Sequence, residues 1–211
     1  MRAISITRRH LLAAAAALGA GPAWAQPAPA QPVPAQPARP RVRLQIEKGA
    51  IVLELAIDKA PVTTANYLRY VDARRYDGTA FFRASQAPGA PEVGFIQAGI
   101  KNAAKLYPPI KHESTLQTGL KHVDGTISMA RLGLGTARSD FTIICGPASH
   151  MDANPAASGD NAGYAAFGQV VEGMEVVRAI LAAPTGGPAP TPIMAGQILN
   201  PPVKILSARR V

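Results

Sequence analysis

A chain of 211 residues with 47% hydrophobic and 17% charged residues is too apolar to stay disordered, and its length suits one core. Its 22 Lys+Arg and 13 Asp+Glu give a net charge of +9, but Arg2, Arg8 and Arg9 precede residue 25; without residues 1–25, 19 cations face 13 anions over 186 residues. A single cysteine, Cys145, excludes an internal disulfide and a cysteine-built metal knuckle, while an aromatic content of 5% leaves few platforms for nucleic-acid bases, so no nucleic-acid partner is expected.

Residues 1–25 have the pattern of an export signal. Thr7-Arg8-Arg9 leads into the uncharged apolar run Leu11–Leu18, which Gly19, Gly21 and Pro22 interrupt ahead of Ala23-Trp24-Ala25. The paired arginines before a mildly hydrophobic, alanine-rich stretch resemble a twin-arginine signal, with an ordinary secretory signal as the alternative. Cleavage near Ala25 is expected, placing the mature protein in the periplasm or outside the cell. The apolar run is too short for a bilayer, so no integral membrane span is expected. Residues 26–40 alternate Pro mainly with Ala, Gln and Val, which predicts an extended linker.

Residues 41–211 carry the patterned sequence. Val42, Leu44 and Ile46 alternate with polar residues, and after Lys48-Gly49 comes Ile51–Leu55, which predicts a β-hairpin. Pro61 then sits where a first helical turn tolerates it, and Val62, Ala65, Leu68 and Val71 recur at helical spacing through Arg74. Short strands are predicted at Thr79–Ala84, Gly94–Gln97, Thr126–Met129, Phe141–Cys145 and Ala166–Val171, a second helix at Gly173–Ala183, and a closing strand at Val203–Ser207. Many short strands with two widely separated helices point to an antiparallel barrel or sandwich with helices covering its ends.

Five segments add a resemblance. Thr79-Ala80-Phe81-Phe82-Arg83, Gly94-Phe95-Ile96-Gln97-Ala98-Gly99, Gly125-Thr126-Ile127-Ser128-Met129-Ala130, Ser139-Asp140-Phe141-Thr142-Ile143 and Phe167-Gly168-Gln169-Val170-Val171-Glu172-Gly173-Met174 stand in the order and approximate spacing of the cyclophilin family, with Asn66-Tyr67-Leu68 placed on the first helix. The resemblance covers essentially all of residues 41–211. It implies a mainly β fold, a closed eight-stranded antiparallel barrel capped by two α-helices, and the activity of a peptidyl-prolyl cis-trans isomerase. Neither cofactor nor metal is implied. The expected partners are Pro-containing segments of unfolded or flexible proteins, and the expected state is a monomer.

Rotation about an X-Pro bond must break amide resonance, at a barrier of roughly 20 kcal/mol, without any proton being abstracted. A donor aimed at the prolyl nitrogen, where lone-pair density appears as conjugation is lost, and an apolar pocket for the ring are what such a reaction needs. Arg83 matches the family's catalytic arginine; the alternative is an exposed strand arginine in a salt bridge. Gln97 matches the glutamine that orients it or binds substrate backbone, and Phe95, two residues away on the same strand, shares its face. Ala130 and Arg131 match the stretch whose backbone pairs with the peptide. Phe82, Phe141, Thr142, His150, Met151 and Tyr164 complete the expected substrate-binding set, with core packing as the alternative for Phe95 and Met151.

Departures from the family pattern are also legible. The loop Ala84–Val93 is long, Gly94 stands where an aromatic pocket residue is usual, Thr142 replaces a phenylalanine, His150 a tryptophan and Tyr164 a histidine. Lost aromatic surface predicts a weaker grip on proline and poor cyclosporin binding, and leaves a peptide-binding module with little turnover as the alternative function. Ser149-His150 with Asp152 makes no hydrolase triad, since sequence neighbours cannot face one another as a triad requires and no G-x-S-x-G elbow is present. His112, His122 and His150 lack metal-ligand spacing, and Cys145 is expected in the core.

Overall fold

The computed structural model describes residues 38–211. The expected signal, residues 1–25, lies outside them, as does most of the expected linker. The last two linker residues are attached to the folded part: the Arg39 guanidinium donates to both carboxylate oxygens of Asp58 at 2.8 and 2.9 Å, and the Pro40 carbonyl accepts the Leu55 N–H at 2.9 Å.

Eight strands close into an antiparallel barrel: β1 (Arg41–Ile46), β2 (Gly49–Leu55), β3 (Ala80–Ala87), β4 (Ala90–Gly99), β5 (Thr126–Met129), β6 (Phe141–Cys145), β7 (Ala165–Glu172) and β8 (Ile198–Arg210), in the spatial order β1-β2-β7-β5-β6-β4-β3-β8. The alternation read from the sequence sets its register. Leu44 pairs with Ile51 on one side and with Ala208 on the other, so all three point inward and are fully buried. Closure removes the exposed edges that an open sheet would present.

Helix α1 (Pro61–Asp72) packs on β7 and β8, and α3 (Met174–Leu181) on β2, β3 and β4. A four-residue helix, α2 (Thr115–Thr118), adds a third to the two expected; Ser114 and Gln117 close a capping box around its first turn. Helix α1 has no local cap. Its first-turn Val62 and Thr63 amides are instead met by the Glu113 carboxylate at 3.0 and 2.7 Å, an anion at a helix N-terminus supplied from some 50 residues away. Where β7 turns into α3, Gly173 adopts a φ of +88°, and a Cβ there would collide with the Ala50 carbonyl.

Two stretches read as irregular are strand. The expected loop Ala84–Val93 extends β3 and β4 into a hairpin, with Ala87 opposite Ala90 across Pro88-Gly89. Pro91 fits because residues 91–93 fall in the register shift between Ala90 opposite Ala87 and Gly94 opposite Gln86, and β6 joins β4 only from Gly94 onward. Strand β8 runs for 13 residues where five were expected. Its Pro201 and Pro202 fall in a bulge, where the β3–β8 register slips between Phe81 opposite Val203 and Arg83 opposite Ile198, so neither proline removes a ladder bond.

The core is aromatic at its centre. Tyr67 of α1 sits among Tyr76, Phe141 and Phe167, with ring centroids 5.1 to 5.4 Å apart. Phe141 meets Tyr67 and Tyr76 edge-on, at interplanar angles of 85° and 86°, the arrangement that the ring quadrupoles favour.

Candidate active site

All the residues singled out from the sequence except Phe141 line one cavity of about 640 Å³ on the outer face of the barrel. The register explains how they meet. Arg83 on β3 lies opposite Gln97 on β4, Gln97 opposite Thr142 on β6, and Thr142 opposite Ser128 on β5, so one polar row crosses four strands. Phe141 is one step out of phase with that row. Its ring points into the barrel, is fully buried and packs on Phe81 as well as the tyrosines, so the expected substrate contact is a core residue.

Arg83 is half buried. Its Nε donates to the Gln197 Oε1 at 2.8 Å and its Nη1 to the Gln97 Oε1 at 3.2 Å, while the guanidinium carbon stands 4.9 Å from the centre of the Phe95 ring. Both partners are neutral amides. Among the described residues Arg83 enters no ion pair, which sets aside the salt-bridge alternative. Burial presses its pKa below the usual arginine value, a sign that the cation is poorly solvated; it stays protonated at any physiological pH.

Gln97 continues the chain: its Nε2 donates to Asp140 at 3.4 Å. Asp140, on the cavity wall, is buried enough that desolvation raises its carboxyl above the ordinary aspartate pKa, against the pull of its bonds from Ser139 and Gln97.

The apolar side of the cavity is a small cluster apart from the main core: Ile144, Ala148 and Met151, with Phe95 and Tyr164 against them. Gly94 lends no side chain to this wall. Its φ is +150° and a Cβ would strike the Ser85 carbonyl, so the backbone admits no aromatic there, and Phe95 supplies the ring beside Arg83. Ala130 lies at the end of β5, and its N–H is already donated to the Asp140 carbonyl at 2.8 Å. Arg131, expected to matter through its backbone, also uses its side chain. The side chain, 2% exposed, holds Asp160 at 2.6 Å and the Gly163 carbonyl at 2.6 Å beside the Tyr164 ring, tying down the loop before β7. Phe82 and the exposed His150 also line the cavity.

Residues that sequence reasoning missed include Gln197, which bonds Arg83, and the cavity-lining Ile193 and Met194, all more than a hundred positions from Arg83, and Leu132. Another is His122, buried beneath the polar row. It is 2.7 Å from Asp152 through Nδ1 and 2.8 Å from the Ser128 hydroxyl through Nε2, which is the connectivity of a hydrolase triad built from residues other than Ser149 and His150. Ser128 is fully buried and His122 2% exposed, so no substrate reaches them and the array is structural.

Burial lowers the His122 pKa below 6.5, outweighing the opposing pull of Asp152. The neutral ring therefore donates from Nδ1 to Asp152 and accepts the Ser128 hydroxyl at Nε2. An unfolded histidine titrates near 6.5, so below about pH 6.5 the unfolded chain binds a proton that the folded one excludes, and stability falls with pH until the folded group also titrates. Calorimetry of the wild type is expected to show a melting temperature that declines from pH 7 to pH 5, with a shallower decline in His122→Gln. Parallel declines in the two proteins would show that this histidine is not responsible.

The chain matches the family described as "Cyclophilin type peptidyl-prolyl cis-trans isomerase/CLD" over residues 41–210. It is 34% identical over 173 residues to a peptidyl-prolyl cis-trans isomerase of Acinetobacter baylyi, covering 82% of this chain and 86% of that one. It is 38% identical over 141 residues to peptidyl-prolyl cis-trans isomerase A of Dickeya dadantii, covering 66% and 70%. Among solved structures, a cyclophilin-type isomerase of Cryptosporidium parvum superposes with a TM-score of 0.64 at 18% identity, over 82% of this chain and 98% of that one. A second crystal structure of that protein, in the presence of the dipeptide Ala-Pro, gives 0.61 at 18% identity, over 80% and 97%.

Proposed function

The chain belongs to the cyclophilin family and is a peptidyl-prolyl cis-trans isomerase, and from that premise we propose that it turns X-Pro bonds of periplasmic proteins during folding, with Arg83 as the donor to the prolyl nitrogen. The observation that carries the donor role is the state of Arg83: a partly desolvated cation, held by two neutral amides and facing an apolar wall. As the X-Pro bond twists, the nitrogen becomes pyramidal and its lone pair localises. A guanidinium whose charge is not spent on a carboxylate stabilises that lone pair more than it stabilises the planar amide, so the barrier falls.

Phe95, Met151 and Tyr164 receive the proline ring, while Gln97 keeps Arg83 in line through its bond to Nη1. The Cryptosporidium relative was crystallised in the presence of Ala-Pro, which supports a proline-containing peptide as the ligand. No group in this scheme gains or loses a proton, so Asp140 and His150 need play no acid or base role. Replacing Arg83 is the direct test of the donor role, read as cis-trans exchange of an Ala-Pro peptide.

The periplasmic setting rests on Arg8-Arg9, the apolar run behind them and Ala23-Trp24-Ala25. Expression of the full chain in a Gram-negative host is expected to yield a periplasmic protein whose first residue is Gln26, with Arg8→Lys/Arg9→Lys retained uncleaved in the cytoplasm. Full-length wild-type protein in the cytoplasm would end the export reading; export of the double variant would leave export by the general secretory route.

A further inference from the structure

Gln197 is anchored more completely than a loop residue ordinarily is. Its carbonyl accepts the Ala84 N–H at 2.9 Å, its own N–H donates to the Met194 carbonyl at 3.0 Å, and its Nε2 donates to the Ile193 carbonyl at 3.2 Å. These three bonds leave Oε1 aimed at one place. It accepts the Arg83 Nε–H at 2.8 Å, the shorter of the two hydrogen bonds that hold this guanidinium.

We propose that Gln197 is a positioning residue for isomerisation: paired with Gln97, it sets the plane of the Arg83 guanidinium and so the direction in which the remaining N–H groups point. The reading of Arg83 as the donor is its premise. A single hydrogen bond at Nη1 would let the planar fork swing about its stem. A second at Nε, to the residue just before the neighbouring strand β8, removes that rotation, and among the described residues both Nη2 protons are then left for a ligand.

Both clamps are neutral, so orientation is secured without neutralising the charge. A carboxylate at either position would hold the fork as well but would compete with the prolyl nitrogen for it. The β3–β8 bulge is what makes the arrangement possible, because the slipped register sets Ile198 opposite Arg83 and brings the preceding residue, Gln197, alongside it. The same segment carries Ile193 and Met194 onto the cavity wall, so the substrate wall and the donor share one support.

The test uses Gln197→Met, which keeps the length of the side chain and removes its amide, and Gln197→Glu, which restores an acceptor to Arg83 but has no N–H for the Ile193 carbonyl. Steady-state exchange on an Ala-Pro peptide and the 1H–15N resonance of the Arg83 Nε–H are measured in each. Gln197→Met is expected to shift that resonance and lower kcat about tenfold while KM changes less than twofold. Gln197→Glu is expected to bring the resonance back, because an acceptor again meets Nε, while kcat stays at least about tenfold below wild type, because the carboxylate takes up the charge that the prolyl nitrogen needs. Unchanged kcat in Gln197→Met overturns the proposal, and so does a loss of kcat in Gln197→Met with the Arg83 resonance unmoved. If Arg83→Ala itself left exchange unaltered, the donor reading would fall; a shifted resonance in Gln197→Met would still show that the clamp exists.

Discussion

Arg83→Ala is expected to lower kcat/KM for an Ala-Pro peptide by about 10²- to 10³-fold, the loss seen when a transition-state donor is removed from a preorganised site. The side chain lies on the outer face of the barrel and is only half buried, so its removal opens no core cavity and the melting temperature should move by no more than a few degrees. Arg83→Lys should recover little. An ammonium is a point charge without the planar fork that donates to Gln97 and Gln197 while still facing the ligand. Exchange NMR at equal protein concentration reads the effect, and calorimetry separates it from unfolding. Exchange in Arg83→Ala within a few-fold of wild type would mean that the barrier is lowered by the apolar wall alone.

Phe141→Ala is expected to cost about 3–5 kcal/mol of stability, the range for removing a buried phenylalanine. Its ring is fully buried and meets Tyr67, Tyr76 and Phe81 edge-on at 5.2, 5.5 and 5.9 Å. At temperatures where the variant stays folded, kcat/KM should fall by less than about threefold, since the residue next to it, Thr142, is the one that faces the site. Phe95→Ala should behave in the opposite sense, with a raised KM and little lost stability, because Phe95 belongs to the small cluster that walls the cavity. Denaturant midpoints and exchange rates on the same samples distinguish the two. A Phe141→Ala protein of wild-type stability with weakened peptide binding would return this residue to the pocket.

The contrast between Phe141 and Thr142 marks how far sequence reasoning reaches. Strand β6 was located correctly, yet a single threonine among four apolar residues makes no alternation to say which residue faces in, and all five residues are buried. Phase came only from the neighbours, once Thr142 was paired with Gln97 on one side and Ser128 on the other. Prolines misled in a related way. Pro88 and Pro91 belong to the stretch read as a loop, and they, like Pro201 and Pro202 of β8, are accommodated at a turn or in a bulge. Such exemptions depend on which strand lies alongside, and that is not a local property.

What the sequence determined by itself was the strand-rich class, the order of most elements, the family resemblance and the run Arg83, Phe95, Gln97 and Thr142. Those rest on short-range features: alternation along a strand, helical spacing after Pro61, and motifs a few residues long. The tertiary structure alone decided that Arg83 is held by two amides, one from Gln197 at a separation of 114 residues, and that His122 joins Ser128 to Asp152 across 30. A hydrogen bond requires two groups to approach within about 3 Å, and when the chain between them is long, only the closed barrel's register fixes which groups those are.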